Sequence, residues 1–258
     1  MNDFPQGMIW LVGAGPGDAE LLTRKAERLI GAASVIFYDA LVGPEVLALA
    51  TAGTRLVPVG KRSGRHSKDQ ASIDRLIVEA AQAGERVVRL KGGDPSIFGR
   101  STEEIAAARK AGIALRICPG ITAASAAAAS MGTSLTLRGL ARKLTLVTAH
   151  ARAGQDLVLD WAKLADPDAT LAVYMGKAGA AKVARELIAA GLDGATPAAL
   201  IENASLPNER IILTRLDLMG LMAKAALGSG PALLLIGEAV SGASAPAALA
   251  APSRESCA

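Results

Sequence analysis

Aromatic residues, cysteines and long apolar runs are all scarce in this chain of 258 residues. Aromatic residues make up 3% of the sequence although 51% is hydrophobic, so the core must be built mainly from alanine, leucine, valine and isoleucine. With so few stacking platforms, RNA is a poor candidate ligand. The two cysteines, Cys118 and Cys257, have no metal-ligand spacing and indicate no disulfide framework. No apolar run approaches the roughly 18 residues typical of a transmembrane helix.

A dominant charge of one sign is also lacking. Lysine and arginine number 28 against 24 aspartates and glutamates, for a net charge of +4. This dispersed basicity favours a small anionic ligand at least as well as nucleic acid. The first twelve residues lack the basic and apolar regions of a secretion signal. We therefore expect a soluble, cytoplasmic protein with no membrane or nucleic-acid partner.

Two nucleotide-binding fingerprints are present but incomplete. Gly13–Asp18 follows a short apolar run, but Asp18 stands where the dinucleotide fingerprint requires its third glycine. Asp39, at the end of a predicted strand, would suit a ribose-binding acid, yet without that glycine an NAD site is weakly supported. Lys61 follows a glycine, but Arg62 replaces the serine or threonine of a P-loop.

The stretch Leu90–Arg100, LKGGDPSIFGR, is the strongest local signal. It follows a β-branched run that predicts a strand. Two glycines then allow close approach of backbone to a ligand, since neither carries a Cβ. Asp94 adds an acceptor, and Pro95 fixes the turn. A structural interpretation, a βα turn with an aspartate helix cap, stands beside the functional one.

Strands and helices alternate along the first half of the chain, with helices predicted at 18–33, 69–83 and 101–111. Five such strands predict a parallel, doubly wound α/β sheet, whose ligands bind at the carboxyl ends of the strands. A second set of strands follows, at 143–148, 169–174, 198–202, 211–214 and 232–236, with helices at 178–190 and 217–226. We therefore expect an N-terminal lobe over residues 1–120, a C-terminal lobe over 121–240 and a disordered tail over 241–258.

These motifs together resemble the tetrapyrrole methyltransferase family. The matching segments are Val12–Ala26, Tyr38–Val42, Gly60–His66, Val87–Glu104, Pro119–Ala129, Ser134–Gly139, Tyr174–Gly176, Glu202–Ser205 and Gly230–Glu238. Each segment alone is unspecific, but nine in order at family-like spacing are not. They are most similar to those of the members that methylate uroporphyrinogen III.

The resemblance implies a fold of two α/β lobes, with a parallel five-stranded sheet in the first and a mixed sheet in the second. It also implies a homodimer that binds S-adenosylmethionine in a cleft between the lobes, releases S-adenosylhomocysteine and needs no metal. The implied cofactor contacts are Pro16, Gly92, Gly93, Asp94, Ile97, Thr122, Ala123, Met175, Ala204 and Ala232.

The implied reaction is C-methylation of uroporphyrinogen III at ring positions 2 and 7, giving precorrin-2 via precorrin-1. Because this substrate carries eight carboxylates, basic side chains are expected around it. The substrate-binding candidates are Lys61, Arg62, Arg65, His66, Arg100, Arg138 and Met175; the catalytic candidates are Arg100, Glu103, Asp39 and Arg138. Arg100 and Glu103 can share a helix face and assist proton removal. Alternatively, Glu103 only stabilises a helix N-terminus.

Other functions stay open at this point. They are another precorrin methyltransferase of cobalamin synthesis, a ribosomal-RNA methyltransferase of the same fold, and a non-catalytic nucleotide-binding regulator. Departures from the family pattern, such as Leu137 where a histidine is common, remove no cofactor position. We expect the stand-alone methyltransferase, without a fused dehydrogenase module. The sequence leaves open whether the product enters sirohaem, cobalamin or haem d1 synthesis.

Overall fold

The computed structural model describes residues 3–60, 69–150 and 157–243. The chain divides into two compact units, Met1–Ala123 and Ala124–Ala258, close to the boundary predicted at residue 120. Within the described ranges, no helix combines the length and apolarity needed to cross a membrane. The basic loop with Lys61, Arg62, Arg65 and His66 lies outside the described residues, as does the predicted tail from residue 244 onward.

The first unit is a parallel sheet with helices on both faces. Its elements are β1 (Ile9–Gly13), α1 (Arg24–Ala32), β2 (Val35–Tyr38), α2 (Pro44–Leu47), β3 (Arg55–Pro58), α3 (Gln70–Gln82), β4 (Val87–Lys91), α4 (Ser101–Lys110) and β5 (Leu115–Cys118). The strand order is β3-β2-β4-β1-β5, and every pair is parallel. The prediction of a parallel five-stranded sheet is thereby confirmed.

The two central strands, β1 and β4, are buried along their whole length. On one face, Trp10 packs with Leu29 and Ile30 of α1; on the other, Leu11 packs with Ile77 of α3. Strands covered on both faces read as continuous apolar runs, which is typical of doubly wound sheets. The carboxyl ends of these strands therefore meet at one fixed edge.

The prediction of one helix from Asp18 to residue 33 is wrong. Asp18 accepts a hydrogen bond from the Glu20 N–H, but it caps only a 3₁₀ turn, Ala19–Leu21. Leu22 is then extended, with ψ of 143°. Helix α1 starts afresh behind Thr23, whose hydroxyl accepts from the Ala26 N–H at 3.1 Å. A second capping residue inside the apolar pattern divides the segment.

The second unit contains a mixed sheet. Its elements are α5 (Ala123–Ser130), β6 (Lys143–Thr148), α6 (Trp161–Leu164), β7 (Ala169–Tyr174), α7 (Ala180–Ala189), β8 (Pro197–Glu202), β9 (Arg210–Arg215), α8 (Met219–Ala226) and β10 (Ala232–Ile236). The order is β6-β7-β10-β8-β9; β6 and β7 run parallel, and the other pairs are antiparallel. The predicted mixed sheet is confirmed.

Small side chains decide how the second sheet is covered. Ala172 and Ala199 leave shallow surfaces on which Ala124, Ala127 and Met131 of the α5 region pack. The opposite face carries α7 and α8 through larger leucine and valine side chains. This explains how a chain poor in aromatic residues still fills its core, because alanine on both sides lets helix and sheet approach closely.

Candidate active site

The carboxyl ends of β1 and β4 bring two glycine loops into contact. The Gly93 N–H donates to the Gly15 carbonyl at 2.6 Å, and the Gly15 N–H donates to the Gly93 carbonyl at 3.2 Å. The Ala14 N–H donates to the Lys91 carbonyl at 2.7 Å. The incomplete dinucleotide fingerprint and the GGDP loop therefore form one rigid junction.

The glycines of this junction serve different purposes. A Cβ on Gly13 would lie 2.6 Å from the Gly120 Cα and 2.7 Å from the Gly93 carbonyl oxygen. A Cβ on Gly120 would overlap that same oxygen. Gly93, with φ of +68°, has no described atom within 4 Å of where its Cβ would point. Gly13 and Gly120 thus allow the loops to pack on each other, whereas Gly93 leaves free space over its own backbone.

Asp94 connects the GGDP loop to the loop after β5. One carboxylate oxygen accepts from the Ser96 N–H at 2.7 Å, and the other accepts from the Gly120 N–H at 2.9 Å. The first contact is the turn-stabilising bond typical of aspartate. The second crosses between loops, so the side chain fixes the position of both.

Beneath this junction lies a buried cluster of four charged side chains. Arg89 and Lys91 are on the same face of β4, because side chains two apart in a strand share a face. The Arg89 Nε donates to one Glu104 oxygen at 2.8 Å, and the Lys91 Nζ donates to the other at 2.7 Å. The Arg89 guanidinium also donates to the carboxylate of Asp39. Together these contacts join β2, β4 and α4.

The cluster is almost closed to solvent. Glu104 is fully buried, and the side chain of Arg89 is 3% exposed, whereas that of Asp39 is 29% exposed. Burial lowers the pKa of the Lys91 ammonium, and the neighbouring Arg89 lowers it further, while the charge of Glu104 opposes both effects. Of the four side chains in the cluster, Asp39 is therefore the one that reaches the protein surface.

Sequence reasoning named Asp39 but missed Arg89, Lys91 and Glu104. A signal was present: two basic residues stand at alternate positions of VVRLK, a strand that is otherwise apolar. Charges in a central strand are expected to have buried partners. The partner, Glu104, stands next to the residue that attracted attention, Glu103.

Arg100 and Glu103 pair with each other at the surface, as their spacing predicted. The Arg100 Nε donates to Glu103 at 3.0 Å, and the two side chains are 61% and 42% exposed. Arg100 lies just before α4 with φ of +55°. Both groups are therefore available to a ligand at the carboxyl edge of the first sheet.

Backbone strain marks the predicted cofactor segments. Among the described residues, those other than glycine with positive φ are Phe98, Arg100, Met175, Asn203 and Ser205. Phe98 follows Ile97, Met175 is itself on the cofactor list, and Asn203 and Ser205 flank Ala204. Arg100 is a substrate-binding and catalytic candidate. Such conformations are uncommon for these residue types and concentrate at functional sites.

In the second unit, three predicted cofactor residues gather at one end of the sheet. Met175 follows β7, Ala204 lies two residues after β8, and Ala232 begins the antiparallel strand β10 between them. The register pairs Ala232 with Glu202 and Leu233 with Tyr174. A groove of about 610 Å³ opens here, with Met175 and Ala232 in its wall.

Glu202, at the end of β8, holds the segment that leads into β10. Its buried carboxylate accepts from the Gly228 N–H at 2.8 Å and the Gly230 N–H at 2.9 Å. Burial by itself would raise the pKa of Glu202, but these two hydrogen bonds, with Lys177 and Arg210 nearby, hold it below its usual value. The wall of the groove is thus anchored by an ionised carboxylate.

The remaining predicted site residues are dispersed over the two units. Pro16 is half-buried in the loop after β1, and Thr122 and Ala123 lie at the start of α5. Arg138 is exposed, in a tight turn of the second unit that the Leu137 and Ala141 backbones close. The structure therefore brings together Asp39, the GGDP loop and Gly120 in one unit, and Met175, Ala204 and Ala232 in the other.

Comparison with known proteins gives a consistent result. The model of the Tetrapyrrole (Corrin/Porphyrin) Methylases family matches residues 8–219. A uroporphyrinogen-III C-methyltransferase of Paracoccus denitrificans is 47% identical over 232 residues, which cover 90% of this chain and 80% of that protein. A siroheme synthase of Zymomonas mobilis is 47% identical over 90% of this chain, but the match covers 49% of its length. The chain thus spans about half the length of that siroheme synthase.

A solved structure is similar over nearly the whole described fold. It is a uroporphyrin-III C-methyl transferase from Thermus thermophilus in complex with S-adenosylhomocysteine, with a TM-score of 0.78 and 40% identity. The likeness covers 91% of this chain and 99% of that one.

Proposed function

Because the chain belongs to the tetrapyrrole (corrin/porphyrin) methylases, we propose that it methylates uroporphyrinogen III with S-adenosylmethionine. Two carbon-bound methyl groups are added, at ring positions 2 and 7, so that precorrin-1 is the intermediate and precorrin-2 the product. The observation that carries this proposal is the 47% identity, over 90% of the chain, to a uroporphyrinogen-III C-methyltransferase.

The proposed cofactor site uses the strained and glycine-rich segments. In the first unit the proposed cofactor contacts are Gly92, Gly93 and Asp94, with free space over the backbone of Gly93. In the second unit they are Met175, Ala204 and Ala232, at one end of the sheet. Compact side chains and exposed backbone groups suit a nucleoside, which needs close approach and hydrogen-bond partners. The likeness to a structure that holds S-adenosylhomocysteine supports this choice.

The proposed substrate contacts are basic. Arg100 presents an exposed guanidinium at the carboxyl edge of the first sheet, and Arg138 presents another in the second unit. Guanidinium groups bind carboxylates through two parallel hydrogen bonds, which suits a substrate with eight of them. Lys61, Arg62, Arg65 and His66 complete the set from outside the described residues.

The proposed reaction requires that the substrate and S-adenosylmethionine are held in the correct orientation and that a proton acceptor is present. A pyrrole carbon attacks the methyl group, its new carbon–carbon bond forms as the sulfur–methyl bond breaks, and the electron pair stays on sulfur. The macrocycle then carries a positive charge that is relieved when a proton leaves. Asp39, partly exposed and held by Arg89, is the proposed group for contacting pyrrole N–H groups and accepting that proton.

An anaerobic incubation with S-adenosylmethionine and enzymatically generated uroporphyrinogen III tests the proposal. We expect a product two methyl groups heavier than the substrate, with a singly methylated species appearing first. Mass spectrometry and absorbance follow both steps. Asp39→Asn, whose amide oxygen can still accept from Arg89, should bind S-adenosylhomocysteine but lose most of its turnover.

Binding of S-adenosylhomocysteine, measured by calorimetry in the same preparation, separates the two parts of the proposal. Tight binding of S-adenosylhomocysteine without methylation of uroporphyrinogen III would contradict the proposed substrate but support the proposed cofactor. If the protein neither binds S-adenosylhomocysteine nor methylates uroporphyrinogen III, the proposed cofactor site is contradicted as well.

A further inference from the structure

We propose that Glu104 is a positioning residue of this active site, which acts through Arg89 to orient the carboxylate of Asp39. The inference rests on the proposed function for its catalytic meaning and on the buried charge cluster for its geometry. Glu104 itself is fully buried and has no path to a substrate. Its effect must therefore be transmitted by the side chains that it contacts.

The guanidinium of Arg89 is fixed from several directions. Glu104 accepts from its Nε at 2.8 Å, and the carbonyl oxygens of Leu90 and Phe37 accept from one terminal nitrogen at 3.0 and 3.4 Å. The other terminal nitrogen donates to Asp39. A planar fork held in this way presents its last donor in one direction only.

Glu104 is important because its negative charge balances one of the two positive charges in the cluster. Arg89 and Lys91 carry two positive charges into a space that is nearly closed to water, and Glu104 and Asp39 carry two negative ones. If Glu104 were neutral, two buried cations would share one anion, Asp39. Uncompensated buried charge is strongly unfavourable, so Asp39 would be drawn inward and Arg89 displaced.

The open end of the cluster lies where the substrate is proposed to bind. One Asp39 oxygen receives Arg89, and the other makes no hydrogen bond to any described residue. The backbone N–H of Asp39 donates to the Leu90 carbonyl at 3.2 Å, which ties the end of β2 to β4. A Cβ on Gly60 would lie 2.9 Å from the Asp39 Cα, so the residue two after β3 packs against the backbone at the end of β2.

Charge balance requires a second carboxylate in the cluster, but it does not require one that reaches solvent. The two cations and Glu104 join β4 to α4, and the contact with Asp39 supplies the second negative charge as a partly exposed carboxylate oriented through one oxygen. The free oxygen is then available to a proton of the bound macrocycle. Glu104 thus determines the position of a group that it does not touch.

The first test is structural and does not depend on the substrate. Crystal structures of the full chain, wild type and Glu104→Gln, should show the Arg89 guanidinium and the Asp39 carboxylate displaced in the variant. Glu104→Asp, which keeps the charge, should restore the contact between Arg89 and Asp39. An unchanged Asp39 in the Glu104→Gln structure would overturn the inference.

The second test is a kinetic double-mutant cycle. Glu104→Gln should lower kcat about 100-fold, change the KM for uroporphyrinogen III less than twofold, and leave S-adenosylhomocysteine binding unchanged. In an Asp39→Asn background, Glu104→Gln should lower kcat no further, since residues that act as one unit are not additive. Additive losses would overturn the inference. Ile77→Ala, a core variant of the same unit, serves as the control for destabilisation alone and should keep its kcat.

The two proposals fail in different ways. A wild-type protein that does not methylate uroporphyrinogen III would contradict the proposed function, while the crystal structures would still decide the role of Glu104. Full methylation with an undisturbed Asp39 in Glu104→Gln would contradict the role of Glu104 alone.

Discussion

Asp94 and Arg100 lie six residues apart in one loop, and their surroundings give them different roles. Asp94 uses both carboxylate oxygens to hold backbone N–H groups, those of Ser96 and Gly120. Arg100 makes a surface pair with Glu103 and otherwise faces solvent. The first residue therefore shapes the proposed cofactor site, and the second is available to the substrate.

Asp94→Asn tests the shaping role. The amide keeps one acceptor oxygen and loses the charge, so the bond to Ser96 or the one to Gly120 is lost, at a cost of about 1–3 kcal/mol. We expect S-adenosylhomocysteine to bind about tenfold more weakly, as measured by calorimetry. Asp74→Asn, whose carboxylate accepts from Gln70 within α3, is the matched control. Equal affinities in wild type and Asp94→Asn would contradict this role.

Arg100→Ala tests the substrate role. An exposed ion pair contributes at most about 1 kcal/mol to stability, so the melting temperature should hardly change. The KM for uroporphyrinogen III should rise about tenfold or more, because a guanidinium that binds a carboxylate is removed. Arg109→Ala, in the exposed last turn of α4, should leave the KM as it is. If the KM of Arg100→Ala for uroporphyrinogen III equals that of wild type, Arg100 does not bind the substrate.

For single residues, the sequence predicted contacts between residues that are close together in the chain and missed contacts between residues that are far apart in it. The Arg100–Glu103 pair follows from helical spacing alone. The cluster of Arg89, Lys91 and Glu104 depends on which side of β4 faces α4, and that is decided by the packing of the whole sheet. The sequence around Glu103 and Glu104 therefore could not show which of the two side chains is buried.

Among the elements, the junction of glycine loops sets the geometry of the first unit. Gly13→Ala would place a Cβ 2.6 Å from the Gly120 Cα, and neither backbone can yield without moving a loop. We expect the free energy of unfolding to fall by about 1–3 kcal/mol and S-adenosylhomocysteine binding to weaken. Thermal unfolding and calorimetry measure the two effects.

Gly31→Ala provides the control for that variant. Gly31 is near the end of α1, and its closest neighbours would be 3.9 Å from the new Cβ. Alanine is the better helix former, so stability should rise by a few tenths to about 1 kcal/mol. A Gly13→Ala protein as stable as Gly31→Ala would show that the junction is not tightly packed.

Element boundaries were predicted well where apolar periodicity was long. Helix α3 lies within the predicted range 69–83, and every strand of the second sheet was placed within one residue. The single-turn helices α2 and α6 were not predicted, because four residues give no periodic pattern. The segment from Asp18 was predicted as one helix because its apolar spacing continues past Thr23, while the break depends on a second cap.

For the whole molecule, the buried carboxylate of Glu202 links stability to pH. Its pKa is held below the ordinary value of 4.5 in the folded protein. Ionised Glu202 therefore contributes stability that is complete above the unfolded pKa and is lost as the pH falls through the folded one. Acid should weaken the second unit from about pH 4.5 downward.

Glu202→Gln should remove part of this dependence. The neutral side chain can accept from one of the two N–H groups, so stability at neutral pH should fall by about 1–3 kcal/mol. Its unfolding curve should then change less than that of wild type between neutral pH and acid. Glu186→Gln, at an exposed pair, is the control. Parallel pH profiles for wild type and Glu202→Gln, followed by circular dichroism, would contradict the anchoring role.

The strand order of the first unit has a consequence for synthesis on the ribosome. β1, the first strand to be translated, lies between β4 and β5, the last two of its sheet. The nascent chain therefore cannot complete its central pairing until Cys118 has emerged from the exit tunnel. Until Lys91 has emerged, the segment Ile9–Val12 has no strand partner, and until Cys118 has emerged it has one of its two. A chaperone that binds extended apolar segments would have its longest opportunity there.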